Sequence, residues 1–402
     1  MMNVSLSNFD EKSIYGKNLT LVTAHNETLV LRDEHGDLRT YVDMMSAYGS
    51  CNFGHCNSQI VPFEAYPADI AACFYPEEAK DFSEWLTGKL KLPEHEVLYQ
   101  VGGSAAVSAA ISIAQRIKQG KVAYLSGSFH GLGLDALSIT NTHKTHALQY
   151  TGLLNALAPY GVEIPFGHEV YINWSDISCF VFEPIQGANG YIPLDRQWLN
   201  RLIDAAQEHG VVVIADEIQC GYYRHGSLSM AQQLELQPDI HLFSKSMTNG
   251  LYPFSAVVYP KAYAEQIQED LFLAHTFQTS ALGCYASMSV ARFIDANNIE
   301  ERCRIVEEFL LNFGRQVSRF EQVKKLYVTG PTLSFEMEGI RGKQLVQACM
   351  EKGILIFTGG AKGERVRIAP PVTITLEMLE HSLSEILDSI QSLVLKTGHS
   401  LV

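Results

Sequence analysis

The stretch VVVIADEIQCG, residues 211–221, places two carboxylates, Asp216 and Glu217, directly after five apolar residues. Short apolar runs of this kind are typical of strands that are buried on both faces of a parallel sheet. A buried strand seldom ends on two acidic residues unless something nearby requires negative charge. The stretch therefore predicts a central strand whose carboxyl end carries a functional carboxylate.

The surrounding sequence alternates strand-like runs with helical patterns. We predict further strands at 121–127, 177–184, 239–245 and 254–260. The segment DRQWLNRLIDAAQEHG (195–210) has one apolar helical face and ends at Gly210, which predicts a helix with a glycine at its end. Strand–helix–strand units of this kind build a mostly parallel sheet covered by helices, so we predict an α/β fold.

The two ends of the chain have a different character. At the N-terminal end, TLVLRDEHGDLRTYVDM (28–44) predicts a hairpin with Gly36 in its turn. At the other end, strand patterns at 327–337 and 354–357 enclose a helical one at 342–353, and a long amphipathic helix follows Thr375. Because 402 residues exceed the usual size of one core, we predict a large domain at 46–285. The smaller α+β domain then combines 1–45 with 286–402, and the hairpin joins this smaller part.

Composition excludes several classes of protein. A formal net charge of −14 argues against a nucleic-acid surface. No apolar run approaches the roughly 20 residues that a membrane span needs, and the first residues lack the pattern of a secretory signal. Eight cysteines in a chain of this length show neither a disulfide framework nor zinc-ligand spacing. We expect a cytoplasmic protein with no metal site and no membrane or nucleic-acid partner.

An alternative interpretation of the opening stretch is a Walker-B strand, whose acids serve Mg²⁺ and water. That interpretation requires a phosphate-binding loop G-x-x-x-x-G-K-[ST]. None of the Gly-Lys pairs is followed by serine or threonine, and no turn has the dinucleotide pattern G-x-G-x-x-G. ATPase and dehydrogenase functions are therefore disfavoured.

A lysine stands at the end of the next predicted strand, in HLFSKSMTNG (241–250). Ligands bind at the carboxyl ends of strands in open parallel sheets, which would bring Lys245 and Asp216 to one edge. A lysine among apolar and small hydroxyl residues can have a depressed pKa and form Schiff bases. Taken alone, the stretch is equally compatible with a surface lysine that merely ends a strand.

A third motif, QVGGSAAVSAAISIAQRI (100–117), predicts a strand end, two glycines, a capping serine and an alanine-rich helix. Gly102 and Gly103 permit close approach of a ligand, and the N–H groups near Ser104 begin a helix. Such a helix N-terminus suits an anion such as a phosphate. One cofactor uses a Schiff-base lysine, a carboxylate on a ring nitrogen and a phosphate site together, namely pyridoxal 5′-phosphate. The pyridinium is then the cation that faces Asp216, and Glu217 is structural.

In these motifs the chain resembles the class III pyridoxal-phosphate aminotransferases of fold type I. This is the group of ornithine, acetylornithine and 4-aminobutyrate aminotransferases. Eight patches carry the resemblance in order along the chain. They are YVDMMSAYGSCNFGHCN (41–57), VGGSAAVSAAISIA (101–114), GSFHGLGLDALSIT (127–140), VFEPIQGANGYIP (181–193), IADEIQCGYYRHG (214–226), FSKSMTNGLYPFSAV (243–257), HTFQTSALGCYAS (275–287) and VRIAPPVTIT (366–375). The resemblance implies a large domain with a mostly parallel central sheet, a smaller α+β domain, and a homodimer.

The resemblance also implies a role for each matching residue. Lys245 would hold the cofactor as a Schiff base, Asp216 would bind the ring nitrogen, and Gln219 would lie near the phenolic oxygen. The remaining residues implied in cofactor binding are Gly103, Ser104, Phe129 and Thr276. Of these, Gly103 and Ser104 would bind the phosphate, Phe129 would stack on the ring, and Thr276 would reach the phosphate across the dimer interface. Arg367 matches the arginine for the substrate carboxylate.

Two residues are predicted to lie next to the cofactor-binding residues without contacting the cofactor. His130 could donate a hydrogen bond to Asp216 and hold it ionised, although a histidine that only packs in a turn is an equally good interpretation. Glu183 is the acid of the segment that matches E-P-I-Q-G in the family, and we expect it beside the cofactor-binding residues.

Three departures from the family pattern are visible, and one of them bears on the substrate. Ala105 replaces the acid of S-G-T-E-A, and the G-G-N-P turn is replaced by QTSA (278–281). In the family, a glutamate after E-P-I-Q-G pairs with the carboxylate-binding arginine, whereas here that position is Ala188. Arg367 would then stay available unless Asn189 or another group covers it.

The sequence therefore predicts a pyridoxal-phosphate aminotransferase that moves an amino group from an amino acid or amine donor to a 2-oxo acid, in two half-reactions through Lys245. The open Arg367 favours donors with a carboxylate near the amine. An amino-acid epimerase, racemase or aminomutase on the same scaffold is an alternative. A regulator that binds the cofactor without turnover is an alternative of another class.

Overall fold

The opening stretch forms the central strand of a seven-stranded sheet. The computed structural model describes residues 19–60, 75–142, 161–268 and 273–396. In chain order the strands are β1 (Thr20–His25), β2 (Thr28–Arg32), β3 (Leu38–Asp43), β4 (His95–Gln100), β5 (Lys121–Leu125), β6 (Gly161–Ile164), β7 (Ile177–Phe182), β8 (Ile185–Gln186), β9 (Ile192–Pro193), β10 (Val212–Asp216), β11 (Ile240–Phe243), β12 (Ser255–Pro260), β13 (Val323–Val328), β14 (Leu333–Met337), β15 (Ile354–Leu355), β16 (Phe357–Gly359) and β17 (Arg365–Ile368).

Helices cover this sheet and form much of the C-terminal part. They are α1 (Glu77–Lys89), α2 (Gly103–Ile117), α3 (Leu134–Ser138), α4 (Arg196–Glu208), α5 (Met230–Gln233), α6 (Ala264–Ile267), α7 (Ala281–Ala296), α8 (Ile299–Val317), α9 (Gly342–Glu351) and α10 (Leu376–Lys396). Single 3₁₀ turns occur at Trp174–Asp176, Lys245–Met247 and Lys261–Tyr263, and a short left-handed turn lies at Ser46–Gly49. No helix of the described residues has both the length and the apolar character needed to cross a membrane.

The large sheet has the strand order β4-β12-β11-β10-β7-β5-β6. Only β12 runs antiparallel to its neighbours, so the predicted mostly parallel sheet is confirmed. Every residue of β7, β10 and β11 is buried, because helices lie on both faces. One face packs on α2 through its alanines and the other on α4, where Trp198, Leu199 and Ile203 are buried.

The helix α4 illustrates how local sequence sets its ends. The Asp195 carboxylate accepts a hydrogen bond from the Trp198 N–H at 2.6 Å, which caps the first turn. Gly210 has φ of 68°, and this left-handed conformation after the last turn suits glycine. The predicted helix and its glycine stop are thus confirmed.

The C-terminal part contains a second sheet of order β13-β14-β17-β16, with α8, α9 and α10 packed against it. The N-terminal hairpin belongs with this part, because β3 pairs with β15 in parallel through Val42 and Ile354. The predicted boundary at 285/286 falls inside α7, whose buried residues pack with Phe53, Phe254 and Cys303. The division into a 46–285 domain and a second domain from both chain ends stays a prediction.

Candidate active site

Three predicted site residues lie at the ends of three adjacent strands. Glu183, Asp216 and Lys245 stand at or just after the carboxyl ends of β7, β10 and β11. The parallel register aligns these ends, since Ala215 pairs with Phe182 and Asp216 with Leu242. The sheet therefore brings the predicted acid and lysine to one edge.

The Asp216 carboxylate is buried and held on both oxygens. Its Oδ2 lies 2.8 Å from Nδ1 of His130, and its Oδ1 accepts the Ile218 N–H at 3.1 Å. Among the described residues, the other ring nitrogen of His130 has no hydrogen-bond partner. The predicted contact between His130 and Asp216 is therefore present, and it fixes the direction of the carboxylate.

The neighbouring acid at 217 has a different environment. Glu217 accepts hydrogen bonds from the Ser229 hydroxyl and from the N–H groups of Met230 and Ala231. Its Oε1 also lies 2.9 Å from Nδ1 of His241. These contacts anchor the first turn of α5 and satisfy the buried carboxylate. Glu217 does not line the cavity described below, and these contacts support the prediction that it is structural.

Glu183 is a buried carboxyl that positions two loops. Its Oε1 accepts the Phe129 N–H at 2.8 Å, and its Oε2 accepts the Gly187 N–H at 3.0 Å. Burial raises the pKa of Glu183 to about 7, helped by Asp216, while His130 and the two N–H donors act in the opposite direction. Glu183 thus links the turn that carries Phe129 to the loop that follows β7.

Lys245 begins the single 3₁₀ turn after β11 and has φ of 48°, a left-handed conformation that lysine rarely adopts. Burial lowers the pKa of its ammonium, and the carboxylates Asp216 and Glu183 only partly oppose this. The next residue, Ser246, donates its hydroxyl to the Gly49 carbonyl at 2.6 Å. The backbone around Lys245 is therefore tied to the left-handed turn Ser46–Gly49.

The N-terminus of α2 opens into the same region, with one correction to the prediction. Ser104 does not cap the helix: Gly102, at φ 89° and ψ 161°, occupies the capping position, and no side chain caps it. The Ser104 hydroxyl instead accepts the Leu132 N–H at 3.2 Å. Glycine takes the capping position because its backbone conformation there is disfavoured for other residues. The first N–H groups of α2 have no acceptor among the described residues, as an anion site requires.

These elements enclose a cavity of about 170 Å³. The residues that line it are Gly103, Ser104, Phe129, His130, Gly131, Glu183, Asp216, Ile218, Gln219, Ser244 and Lys245. All residues predicted for cofactor binding are in this set except Thr276. Gln219 donates to the Tyr48 carbonyl at 3.2 Å, and its Oε1 has no partner among the described residues.

Arg367 does not line that cavity; it lies on β17, near enough to Lys245 for its charge to lower the pKa of that ammonium. Its guanidinium packs over the Phe357 ring, 3.9 Å from the centroid, and near Tyr191. Three of its five N–H groups are used: Nε and Nη2 donate to the Thr358 carbonyl, and Nη1 donates to the Gly187 carbonyl. One N–H on each terminal nitrogen is left, and no carboxylate pairs with Arg367 in the described ranges.

The loop beside Arg367 explains why no carboxylate of the described residues pairs with it. Ala188 has no side-chain acceptor, and its carbonyl accepts the Gly360 N–H at 2.9 Å. Asn189 points away from Arg367: it accepts from Arg365 at 2.8 Å and donates to Gln186 at 2.7 Å. Asn189 therefore does not cover Arg367.

Thr276 lies apart from the other predicted residues. It is exposed in the turn before α7 and contributes nothing to the cavity of its own chain. Its predicted contact is with a partner's cofactor, which a single chain does not test. Tyr222 and Tyr223, which follow Gln219 closely in sequence, are buried in the core.

The sequence interpretation missed four residues near the site. Gly131, Ile218 and Ser244 line the cavity, and each is next to a residue that was predicted. A Cβ on Gly131 would lie 2.3 Å from the Ser104 hydroxyl, so glycine is required there. The fourth, Arg224, is fully buried and donates to Ser46 of the turn Ser46–Gly49, and its charge in the apolar context GYYRHG was the available signal.

The donor set suits pyridoxal phosphate. The site combines an amine whose pKa is lowered, a buried carboxylate for the ring nitrogen, an unpaired amide oxygen on Gln219 and a helix N-terminus without a capping side chain. Among the described residues no group of acids, histidines and cysteines could hold a metal ion.

Comparisons with known proteins point in the same direction. The model of the family "Aminotransferase class-III" matches residues 14–392. A probable 4-aminobutyrate aminotransferase of Bacillus subtilis is 25% identical over 90% of this chain and 93% of its own. An ornithine aminotransferase of Oceanobacillus iheyensis is 26% identical over 96% of this chain and 98% of its own.

Solved structures show the same fold. A transaminase from the marine bacterium Virgibacillus superposes with a TM-score of 0.82 at 17% identity, over 98% of both chains. The ornithine aminotransferase of Toxoplasma gondii superposes with a TM-score of 0.78 at 20% identity, over 95% of this chain and 92% of its own. At these identities the likeness establishes the fold.

Proposed function

The chain belongs to the class III aminotransferases, which use pyridoxal phosphate, and on that premise we propose a role for each residue of the cavity and a class of substrate. It is a transaminase, so an amino donor and a 2-oxo acid are its substrates. The observation that carries the assignment of roles is the convergence of Lys245, Asp216 and the open start of α2 on one cavity.

Bound pyridoxal phosphate supplies an aldehyde that condenses with amines and a protonated ring that accepts electron density from the substrate. Gly103 and Ser104 bind its phosphate, Phe129 stacks on its ring, and Gln219 lies near its phenolic oxygen. Asp216, oriented by His130, keeps the ring nitrogen protonated. Lys245 would hold the cofactor covalently between turnovers, its nitrogen replacing the aldehyde oxygen, which leaves as water. Once an incoming amine displaces it, Lys245 would move a proton at the substrate carbon as base and acid.

Arg367 supplies the substrate-binding group in this proposal. Its two remaining N–H donors match the two oxygens of a carboxylate, and stacking on Phe357 holds the guanidinium plane in place. Because Ala188 and Asn189 leave Arg367 without an acidic partner, no side chain in the described part of the chain competes with a substrate carboxylate. We therefore expect the amino donor to carry its carboxylate next to the reacting amine.

The visible absorption of the cofactor-loaded protein tests this proposal when single donors are added. Glutamate and alanine should bleach the absorption band faster than 4-aminobutyrate or a terminal diamine. Ornithine, which has both kinds of amine, should react at its α-amine, and analysis of the keto product identifies the nitrogen lost. A terminal diamine that reacts faster than every α-amino acid would exclude the assigned substrate class.

A matched variant tests the cause of this preference. Ala188→Glu places a carboxylate beside Arg367, and it should raise KM for α-amino acids while it leaves cofactor absorption unchanged. Ala188→Gln, which is similar in size and uncharged, is the control. Equal effects of the two substitutions would mean that volume at this loop, and not charge beside Arg367, limits the substrate.

We also propose a homodimer in which Thr276 of one protomer reaches the cofactor phosphate of its partner. The exposed position of Thr276, outside the cavity of its own chain, supports this arrangement. The cytoplasmic location expected from the sequence stays a prediction.

A further inference from the structure

Arg224 is a buried charge whose hydrogen-bond partners among the described residues are all neutral. The side chain is 0% exposed, and its four hydrogen bonds go to neutral oxygens. Nη1 donates to the Ser46 hydroxyl at 2.8 Å and to the Ala369 carbonyl at 3.3 Å. Nη2 donates to the carbonyls of Pro331 and Pro370, at 3.1 and 2.7 Å. A buried charge without a carboxylate is costly, so its presence requires an explanation.

The first partner, Ser46, begins the left-handed turn Ser46–Gly49. Ser46, Ala47 and Tyr48 all have φ between 47° and 59°, a conformation that non-glycine residues adopt only when their surroundings hold them. Carbonyls of this turn accept the Gln219 amide and the Ser246 hydroxyl, at 3.2 and 2.6 Å. The turn thus holds Gln219, which lines the cavity, and Ser246, which follows Lys245 in sequence.

The second set of partners lies directly after Arg367. Ala369 and Pro370 follow Arg367 by two and three residues and continue from β17. Ala369 also contacts the turn itself, because its carbonyl accepts the Ser46 hydroxyl at 2.8 Å and its N–H donates to the Met44 carbonyl at 2.7 Å. The guanidinium of Arg224 is therefore the junction between the turn and the strand that carries Arg367.

We propose that Arg224 is a positioning residue for transamination, which fixes the backbone after Arg367 against the turn Ser46–Gly49 and thereby sets the carboxylate-binding guanidinium relative to Lys245. This inference rests on the proposed role of Arg367. Only an arginine has terminal nitrogens that can reach acceptors on both segments at once, because lysine offers a single nitrogen.

Steady-state kinetics of the cofactor-loaded enzyme tests the proposal, with Arg224→Met and Arg224→Lys as variants and 2-oxoglutarate and pyruvate as acceptors. Arg224→Met should raise KM for the preferred acceptor at least about 10-fold, since the loss of one hydrogen bond between charged groups weakens binding by about that factor or more. Arg224→Lys should rescue thermal stability more than it rescues KM. The visible absorption of bound cofactor should be unchanged in both variants.

A matched control is Arg302→Met. Arg302 donates to the carbonyls of Val372 and Ile374, in the same segment but beyond the residues that Arg224 contacts. Its loss should lower the melting temperature without changing KM. A KM for Arg224→Met within twofold of the wild type, with only a lower melting temperature, would reduce Arg224 to a structural residue and overturn the proposal.

The dependence on Arg367 is tested with the double variant Arg224→Met/Arg367→Met. If Arg224 acts through Arg367, its substitution should add little to the KM of Arg367→Met, whereas independent effects would multiply. Multiplying effects overturn the positioning role. A KM unchanged in Arg367→Met alone shows instead that the assigned carboxylate site is wrong.

If Arg224→Met does not fold, the smaller substitution Ser46→Ala replaces it in the same KM measurement. It removes one acceptor of Arg224 and the hydroxyl that bonds to the Ala369 carbonyl. It should raise KM in the same direction by a smaller factor, and an unchanged KM would count against the proposal.

Discussion

Replacing Glu183 by glutamine should remove a pH dependence of stability that the wild-type protein has when pyridoxal phosphate is absent. Burial raises the pKa of Glu183 from 4.5 to about 7, so the folded protein holds this proton more tightly than the unfolded chain. Each pKa unit corresponds to about 1.4 kcal/mol, and the difference here amounts to about 3 kcal/mol.

The sign follows from the direction of the shift. Because the pKa is raised in the folded state, the stabilisation is complete below the unfolded value of 4.5 and is lost as the pH rises through about 7. Between pH 5 and pH 8 the wild type should lose about 2.5 kcal/mol from this group. With an unfolding entropy of about 2.1 cal/mol/K per residue, that loss is about 3 °C in Tm for a chain of this length.

Glutamine is neutral at every pH, so Glu183→Gln should not show this loss. The variant has its own cost of about 1–3 kcal/mol, because the amide nitrogen cannot accept one of the two N–H groups from Phe129 and Gly187. That cost does not depend on pH, so the informative quantity is the difference in Tm between wild type and variant as a function of pH.

Thermal melting of the cofactor-free proteins from pH 5 to pH 8 measures this difference. Glu208→Gln is the control, because it makes the same change of charge at an exposed position near the end of α4. The wild type should approach or fall below Glu183→Gln as the pH rises, while its distance from Glu208→Gln stays constant. Profiles of wild type and Glu183→Gln that stay parallel within 1 °C would refute the proposed cost of an ionised Glu183.

Three further predictions concern the proposed roles. Lys245→Ala should abolish transamination and the visible absorption of covalently held cofactor; an unaltered spectrum would place the attachment elsewhere. His130→Ala leaves Oδ2 of Asp216 without its hydrogen-bond partner. It should lower kcat/KM about 10–100-fold, as the loss of an orienting group does at other sites. A loss of less than twofold in steady-state kinetics would contradict this prediction. Thr276→Ala should leave the protomer's own fold and Tm unchanged, because the residue is exposed, yet weaken pyridoxal phosphate binding about 10-fold; an unchanged Kd by fluorescence titration would exclude the contact with the partner's cofactor.

The sheet edge of the site was predictable because its signals are local. Apolar runs that end in Asp216 and Lys245 mark strands, and parallel strands place their carboxyl ends together. Glu217 could be set aside for a similar reason, since only one of two consecutive side chains can face the cavity. The start of α2 was predictable as an anion site, but its cap was not. A glycine in an unusual backbone conformation took the position at which a serine is statistically preferred.

Contacts between distant segments could not be predicted from one sequence. Arg367 is recognisable by its motif, but its stacking on Phe357 and its bonds to the Gly187 and Thr358 carbonyls depend on how three loops meet. The buried position of Arg224 depends in the same way on segments that are more than 100 residues away. Periodicity carries no information about such pairs, because it reports only on the nearest turn or strand.

The backbone conformations around the site give a physical reason for these long-range ties. Ala47, Tyr48, Lys245 and Asn249 all have positive φ, and each such residue costs about 1–3 kcal/mol in isolation. They form two short turns that are tied to each other by the hydroxyl of Ser246 and the carbonyl of Gly49. The surroundings must hold these turns in a disfavoured conformation, and the buried guanidinium of Arg224 contributes hydrogen bonds at the start of one of them. On this argument the buried charge and the strained turns are parts of one arrangement, in which local stability is given up to hold Lys245 and the carboxylate-binding strand in fixed relation.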